Sequence, residues 1–327
     1  MRERATKRGI ELTELGLGAA QFGNLYRETT DAQVAGAVEA AWDGGIRYFD
    51  TAPHYGLGLS ERRLGAALRE RPRDEFVLST KVGRLLVPSP ETADRLDDEG
   101  FAVPADTRRQ WDFSRDGILR SVEASLERLG LDRIDVLYMH DPDDHFEAAS
   151  TTGVQALIEL REQGIVGAVG AGMNQSALLA ELIRRADVDH VMLAGRYTLL
   201  EQGALDDLLP LALERGVGVV IAGVYNSGLL GRNRPPAGAM YNYEPAPAEL
   251  IDRANRIADV CESHGVSLPQ AALAYPLRHP AVVSVVVGAR DGDQVRDTLD
   301  RYATAVPEDL WGDLRSAGLL PASDNDQ

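Results

Sequence analysis

Ala168-Val-Gly-Ala-Gly-Met173 is an apolar run of small and β-branched residues. Ser176-Ala-Leu-Leu-Ala-Glu-Leu-Ile-Arg-Arg185 follows it with apolar residues at helical spacing. The pair reads as one strand and one helix joined by a polar turn at Asn174-Gln175. The same unit recurs in both directions. Further strands are expected at Leu15–Phe22, Tyr48–Ala52, Phe76–Val82, Ile134–His140, His190–Arg196, Val217–Val224 and Val283–Ala289, eight in all with the first. They lack strict polar alternation, as strands buried on both faces do. Amphipathic helices are expected at Ala32–Trp42, Ser60–Glu70, Asp116–Leu129, Gly153–Gln163, Gln175–Arg185, Ala204–Arg215, Ala248–His264, Pro269–Arg278 and Gln294–Tyr302. Ser60 reads as an N-cap, and Gly44-Gly45 and Gly130 as C-terminal stops.

Eight β-then-α units with no Pro- or Gly-rich linker predict an α/β fold, a single-domain (β/α)8 TIM barrel over residues 1–320. The rival is a doubly wound dinucleotide-binding sheet, which wants Gly-x-Gly-x-x-Gly at its first turn. Gly16-Leu-Gly18-Ala-Ala-Gln21 fails at the third glycine. Two connections are too long for turns, Arg84 to Phe113 after the third strand and Tyr225 to Glu244 after the seventh. Both are expected to be long loops on the C-terminal face, where barrel active sites are built. Residues 321–327 read as a disordered tail.

Among the 327 residues, 34 Lys+Arg stand against 51 Asp+Glu, a net charge of −17. That balance argues against nucleic acid or an anionic membrane as partner. One cysteine, Cys261, excludes a disulfide within the chain and suits a reducing compartment. Its place on a helical stretch reads as a buried thiol. No apolar run approaches the roughly 18 residues of a membrane helix. No signal-type segment follows the basic start, so a cytoplasmic location is expected. Six histidines show no zinc-like spacing, and no metal is expected. Trp311 lies in a late amphipathic segment and reads as a docking residue.

Three successive strands close on titratable residues: Asp50, Lys81 and His140. Neighbouring barrel strands lie roughly 4.8 Å apart, so the three converge on one mouth, with Tyr55 supplied by the loop beyond Asp50. A phenol is a poor base near neutrality. A nearby ammonium lowers its pKa, and an aspartate holds that ammonium in place. A histidine orients the substrate oxygen. Each residue alone has an ordinary structural reading; the set on consecutive strand ends points to catalysis.

Phe49-Asp50-Thr51-Ala52-Pro53-His54-Tyr55-Gly56-x-Gly58-x-Ser60-Glu61 resembles the signature of the aldo-keto reductases. Ser79-Thr80-Lys81-Val82-Gly83 and Leu129-Gly130-Leu131-Asp132-x-Ile134-Asp135-x4-His140 are similar to the family's second and third blocks. The resemblance spans Gly16 to about Asp297. It implies a (β/α)8 barrel, NAD or NADP as cofactor with neither preferred, and Asp50, Tyr55, Lys81 and His140 as catalytic tetrad. Asp112-Phe113-Ser114, His140-Asp141-Pro142-Asp143-Asp144-His145, Ala194-Gly195-Arg196-Tyr197 and Tyr225-Asn226-Ser227-Gly228 resemble the aldose 1-dehydrogenase branch. That branch holds L-fucose, D-threo-aldose and L-galactose dehydrogenases, with pyridoxal 4-dehydrogenase similar. Its members mostly oxidise a sugar hemiacetal to a lactone.

For the nicotinamide amide the family uses Ser, Asn and Gln. Asn174 matches, whereas the other two positions fall at Met173 and Ala194, and the stacking aromatic falls near Ala222, with Tyr225 as a substitute. Gly18 and Ala19, within the first expected strand, are further cofactor-binding candidates. Backbone N–H groups of Asn226, Ser227, Gly228 and Leu230, and the turn at Gly288, suit the pyrophosphate. Gln294 matches a position near the adenine, and Arg290 suits a 2′-phosphate. His54 and Trp111 are candidates for the substrate wall. The expected function is oxidation of an aldose at C1; the alternatives are pyridoxal oxidation or NADPH-dependent reduction of small aldehydes and ketones. A regulatory module that binds nicotinamide without turnover is the rival class, and the complete tetrad argues against it. The partner is a small sugar or aldehyde, and the chain is expected as a monomer or small homo-oligomer.

Overall fold

A computed structural model describes residues 1–236, 238–242 and 244–322. Eight parallel strands close into a barrel in the order they occur in the chain. They are β1 (Leu15–Gly18), β2 (Tyr48–Asp50), β3 (Val77–Val82), β4 (Val136–His140), β5 (Ala168–Met173), β6 (His190–Ala194), β7 (Gly218–Ala222) and β8 (Val282–Gly288). The α-helices longer than one turn among the described residues are α1 (Asp31–Asp43), α2 (Leu59–Leu68), α3 (Arg115–Leu129), α4 (Val154–Glu162), α5 (Ser176–Arg185), α6 (Leu208–Arg215), α7 (Ala248–Ser263), α8 (Leu268–Ala274), α9 (Gly292–Ala303) and α10 (Glu308–Ser316). The TIM barrel is therefore the fold.

Every expected strand forms, most of them shorter than expected. The first ends at Gly18 because the Ala19 amide turns to Asp50 O and a 3-10 turn, Ala20–Gly23, follows. The seventh ends at Ala222 because Gly223 takes the left-handed conformation. Helix α1 starts in a capping box of Thr30 and Gln33, and α3 starts at Ser114 and stops at left-handed Gly130. Ser60 is not the N-cap of α2. Left-handed Gly58 holds that position, and Ser60 is buried in the first turn, its hydroxyl donating to Ala19 O at 2.6 Å.

Two apolar layers result. Phe49, Leu78, Leu137, Val169 and Val219 face the helices. Tyr48, Tyr138, Met192, Val220 and Val286 fill the barrel interior, with Leu12 in the same cluster. This alternation is what period 2 demands of a closed sheet. Each fully buried large side chain contributes roughly 1.5–3 kcal/mol. Leu12 belongs to an N-terminal hairpin, Glu3–Ala5 paired with Glu11–Thr13, that the hydrophobic pattern did not announce. The hairpin is tied to the last strand: Arg4 donates to Val282 O and Leu277 O, and Ser284 donates to Thr13 O. Trp311 is buried on α10, and Cys261 is fully buried, with burial pushing its thiol up to about 12.

The excursion after β3 is not simply a loop. Arg84–Pro88 pairs antiparallel with Thr107–Trp111. Within the excursion after β7, Met240–Tyr241 pairs with Glu244–Pro245. Of the expected tail, residues 323–327 lie outside the described residues.

Candidate active site

The C-terminal strand ends open on a cavity of about 230 Å³ lined by Asp50, Tyr55, Lys81, His140 and Asp141 together with Gly18, Ala19 and Met173. Asp50 ends β2, Lys81 sits near the end of β3, and His140 ends β4. Tyr55 comes from the turn before α2. Gly23 and Gly56 lie back to back beneath it: a Cβ on Gly56 would stand 2.2 Å from Gly23 O, and Gly56 is left-handed. Only glycine lets the Tyr55 turn seat so closely against the first turn.

Lys81 Nζ donates to Asp50 Oδ2 at 2.7 Å, to Thr51 O at 3.0 Å and to Tyr55 Oη at 3.2 Å. All three donors of the ammonium are thus used, and Lys81 is 2 % exposed. Burial lowers its pKa and is the largest single influence. The charges and hydrogen bonds of Asp50 and Tyr55 together outweigh it, so the ammonium's pKa is raised. The other carboxylate oxygen of Asp50 accepts from Ser79 Oγ at 2.7 Å. Ser79 Oγ lies 3.0 Å from Tyr48 Oη, which lies 3.4 Å from Tyr138 Oη. A continuous polar column therefore runs from the cavity into the barrel interior. Ser79, Tyr48 and Tyr138 were missed in the sequence, although polar side chains on the inward face of an apolar strand are the signal for such a column.

The expected net depression of the Tyr55 pKa is corrected. Burial raises it and outweighs the Lys81 ammonium, which pulls it down as expected, so the phenol's pKa lies above its ordinary value. His140 is neutral: burial, then the nearby Arg84 and Lys81, pulls its pKa well below the ordinary value. Its ring stands edge-on to Tyr55, centroids 5.6 Å apart. His140 Nδ1 is buried without a hydrogen-bond partner among the described residues.

His54 adjoins both rings, 5.4 Å from His140. Its Nδ1 accepts from Arg109 Nε at 2.6 Å and lies 3.3 Å from Arg84 Nη1. Burial and these two guanidinium groups pull its pKa down to about 2. The ring is therefore neutral with its proton on Nε2. Arg109 is held in turn by both oxygens of Asp97. Neither His54 nor Trp111 is among the residues lining the cavity; the Trp111 ring carries the Arg84 guanidinium at 4.4 Å.

Gln21, Gly223, Val286 and Gly288 also line a second groove of about 860 Å³, so the two form one channel. Small-molecule and cofactor sites span roughly 300–1,000 Å³. Tyr225, Asn226, Ser227 and Gly228 line this outer groove, with Asn226, Ser227 and Gly228 consecutively left-handed. Gln21 Oε1 and Asn226 Oδ1 are buried without hydrogen-bond partners among the described residues. A polar dinucleotide fits that pattern of unused acceptors along an apolar groove. Several expected contacts are already engaged within the protein. Leu230 is buried and its amide donates to Tyr225 O; the Asn174 amide donates to Ala194 O, outside the cavity lining. Arg290 donates to Thr29 Oγ1 at 2.7 Å, to Arg27 O and to Leu25 O, clasping the segment before α1. Gln294 Oε1 accepts the Arg290 amide.

Residues 14–318 match the Aldo/keto reductase family. The chain is 49% identical to a D-threo-aldose 1-dehydrogenase of a Pseudomonas species over 97% of both chains. It is 41% identical to a pyridoxal 4-dehydrogenase of Microbacterium luteolum, over 95% of this chain and 96% of that one. Among solved structures, the holo form of an aldo-keto reductase from Bacillus halodurans superposes with a TM-score of 0.75 at 25% identity, over 100% of both chains. No helix among the described residues is long and apolar enough to cross a membrane.

Proposed function

We propose that this chain, an NAD(P)-dependent oxidoreductase belonging to the aldo/keto reductase family, oxidises the C1 hemiacetal of an aldose to a lactone. One observation carries the chemistry: the Tyr55 hydroxyl, 3.2 Å from a charged Lys81, opens on the same cavity as neutral His140. The 49%-identical relative, named for an aldose, supports the substrate class.

In this reading Tyr55 takes the proton of the C1 hydroxyl, and the Lys81 ammonium stabilises the phenolate. Asp50 and Thr51 O fix Lys81, which stays charged throughout. His140, neutral, holds the substrate oxygen by hydrogen bonding. A nicotinamide held in the channel would supply the acceptor for the C1 hydride. Gln21 and Asn226 are the residues we assign to its polar groups, with Gly18, Ala19 and Gly288 lending close backbone approach. Because burial holds the Tyr55 pKa above the ordinary phenol value, the base form grows as pH rises, so oxidation speeds up into the alkaline range. In the reverse direction the protonated phenol is already the acid at neutral pH.

The 41%-identical relative favours a second reading, oxidation of pyridoxal, whose hemiacetal offers the same reacting group. The test is the absorbance of reduced nicotinamide at alkaline pH. The protein is given NAD⁺ and, separately, NADP⁺, with L-fucose, D-arabinose, L-galactose, L-xylose and pyridoxal. Turnover on an aldose is expected. Silence on every sugar, with turnover on pyridoxal, replaces the first reading with the second.

A further inference from the structure

Asp141 follows His140 directly, and its backbone is left-handed at φ 37°. Non-glycine residues held there are uncommon and gather at functional sites. The conformation is fixed by the Asp141 amide, which donates to Gly172 O at 2.9 Å. It turns the carboxylate back into the cavity that Tyr55 and His140 line, with 34% of the side chain exposed. Oδ2 accepts from Arg84 Nη2 at 2.6 Å and stands 3.6 Å from His140 Nε2. Oδ1 takes part in no hydrogen bond among the described residues. Arg84 is itself immobilised: its guanidinium lies over Trp111, and Nη1 lies 3.3 Å from His54 Nδ1.

A cavity-lining carboxylate with one oxygen clamped by a guanidinium and the other without a hydrogen bond among the described residues is an acceptor with capacity to spare. A small aldehyde has no donor for it. A sugar has a hydroxyl on the carbon beside the one that reacts. We propose that Asp141 accepts a hydrogen bond from the substrate's C2 hydroxyl, with Arg84 as the positioning residue that aims it. The proposal rests on the aldose reading and adds the group that separates polyhydroxylated substrates from simple carbonyl compounds. Trp111 then acts one step removed, by supporting Arg84.

The test uses matched pairs: D-arabinose with 2-deoxy-D-ribose, and L-fucose with 2-deoxy-L-fucose. For the wild-type protein, loss of the C2 hydroxyl is expected to lower kcat/KM about ten- to a hundredfold, the range for a hydrogen bond to a charged group. In Asp141→Asn the parent sugar falls by that factor while the deoxy sugar changes less than about threefold, so the ratio collapses towards one. Arg84→Met moves the ratio the same way, chiefly through KM, and Arg84→Lys restores part of it. An equal loss on parent and deoxy sugar in Asp141→Asn overturns the inference and assigns Asp141 to holding His140. A wild-type ratio near one overturns it without any variant. Turnover of none of D-arabinose, L-fucose, L-galactose and L-xylose by the wild type refutes the aldose reading itself.

Discussion

Replacing Asp50 with Asn removes one charge from a site that burial has made intolerant of an unpaired one. Lys81 is 2% exposed, and its ammonium lies 2.7 Å from the carboxylate. Breaking a buried pair costs about 3–5 kcal/mol, because the remaining charge stays desolvated. The Asn side chain has a single acceptor oxygen. It cannot receive both Lys81 and Ser79, which now donate to separate oxygens of Asp50. Unfolding entropy is about 2.1 cal/mol/K per residue, or ~0.7 kcal/mol/K for a chain of this size. The loss therefore lowers Tm by about 4–7 °C at pH 7. The pH dependence carries a sign. In the wild type the folded Lys81 pKa is raised, so its stabilisation is complete below the unfolded value near 10.4 and is lost only above it. Without the carboxylate, burial is left in control and the folded pKa falls below the unfolded one. The variant then gains stability as pH rises, and its deficit shrinks between pH 7 and pH 9.5. Thermal melts followed by circular dichroism at both pH values give the answer. A shift below about 2 °C at pH 7, or a deficit unchanged at pH 9.5, refutes the claim that the pair is a buried, tightly coupled unit.

Tyr55→Phe removes one of three acceptors of Lys81 and leaves the groove intact; turnover should fall about 10²–10⁴-fold with nucleotide affinity, followed by protein fluorescence, nearly unchanged. Retention of a tenth of the wild-type rate rules out the base. Arg290→Met should lower thermal stability and increase proteolysis between Leu25 and Thr29, because those backbone oxygens lose their donor, while the ratio of NAD⁺ to NADP⁺ activity stays constant; a selective loss of NADP⁺ activity would instead assign this arginine to a 2′-phosphate. Four histidines have lowered folded pKa values, in each case chiefly through burial; beside His279, the larger shifts are His54 at about 2, His190 at about 4 and His140 well below ordinary. The unfolded chain therefore binds more protons than the folded one below about pH 6.5, and stability is lost on acidification, at up to about 4 kcal/mol per pH unit for three such groups. Denaturant titrations at pH 7, 6 and 5 measure the slope; a flat profile contradicts the buried, neutral state.

The barrel was legible because parallel strands buried on both faces leave unbroken apolar runs, such as Val77–Val82, and nothing else in the chain competes with that pattern. Asp50, Lys81 and His140 stood out as polar ends of those runs, and the structure brings them together with Tyr55 in one cavity. The excursion after β3 has the sequence of a loop because Arg108, Arg109 and Gln110 carry no apolar alternation; what organises it is ion pairing, Arg109 to Asp97 and Arg84 to Asp141, between residues apart in sequence. The Tyr55 pKa was misjudged because a sequence shows a neighbouring cation but not the depth at which the phenol is buried. The acceptors of Arg290, the carbonyls of Leu25 and Arg27, lie over 260 residues away in the chain and are not visible in sequence.

The barrel closes where β8 pairs with β1, Val285 beside Leu15 through Gly288 beside Gly18, with 270 residues between partners (285 minus 15). Shutting a ring that large costs roughly 5 kcal/mol of chain entropy in the simplest treatment, about 1.5RT ln n. The channel described above straddles this seam, with Gln21 on one side and Val286 and Gly288 on the other. A molecule lying in it touches both ends of the closed circuit, and a ligand at a hundred times its Kd adds about 2.7 kcal/mol to the native state alone. A coenzyme held there, as in the proposed reading, would also clasp the ring, and its addition is then expected to slow amide exchange along β1 and β8.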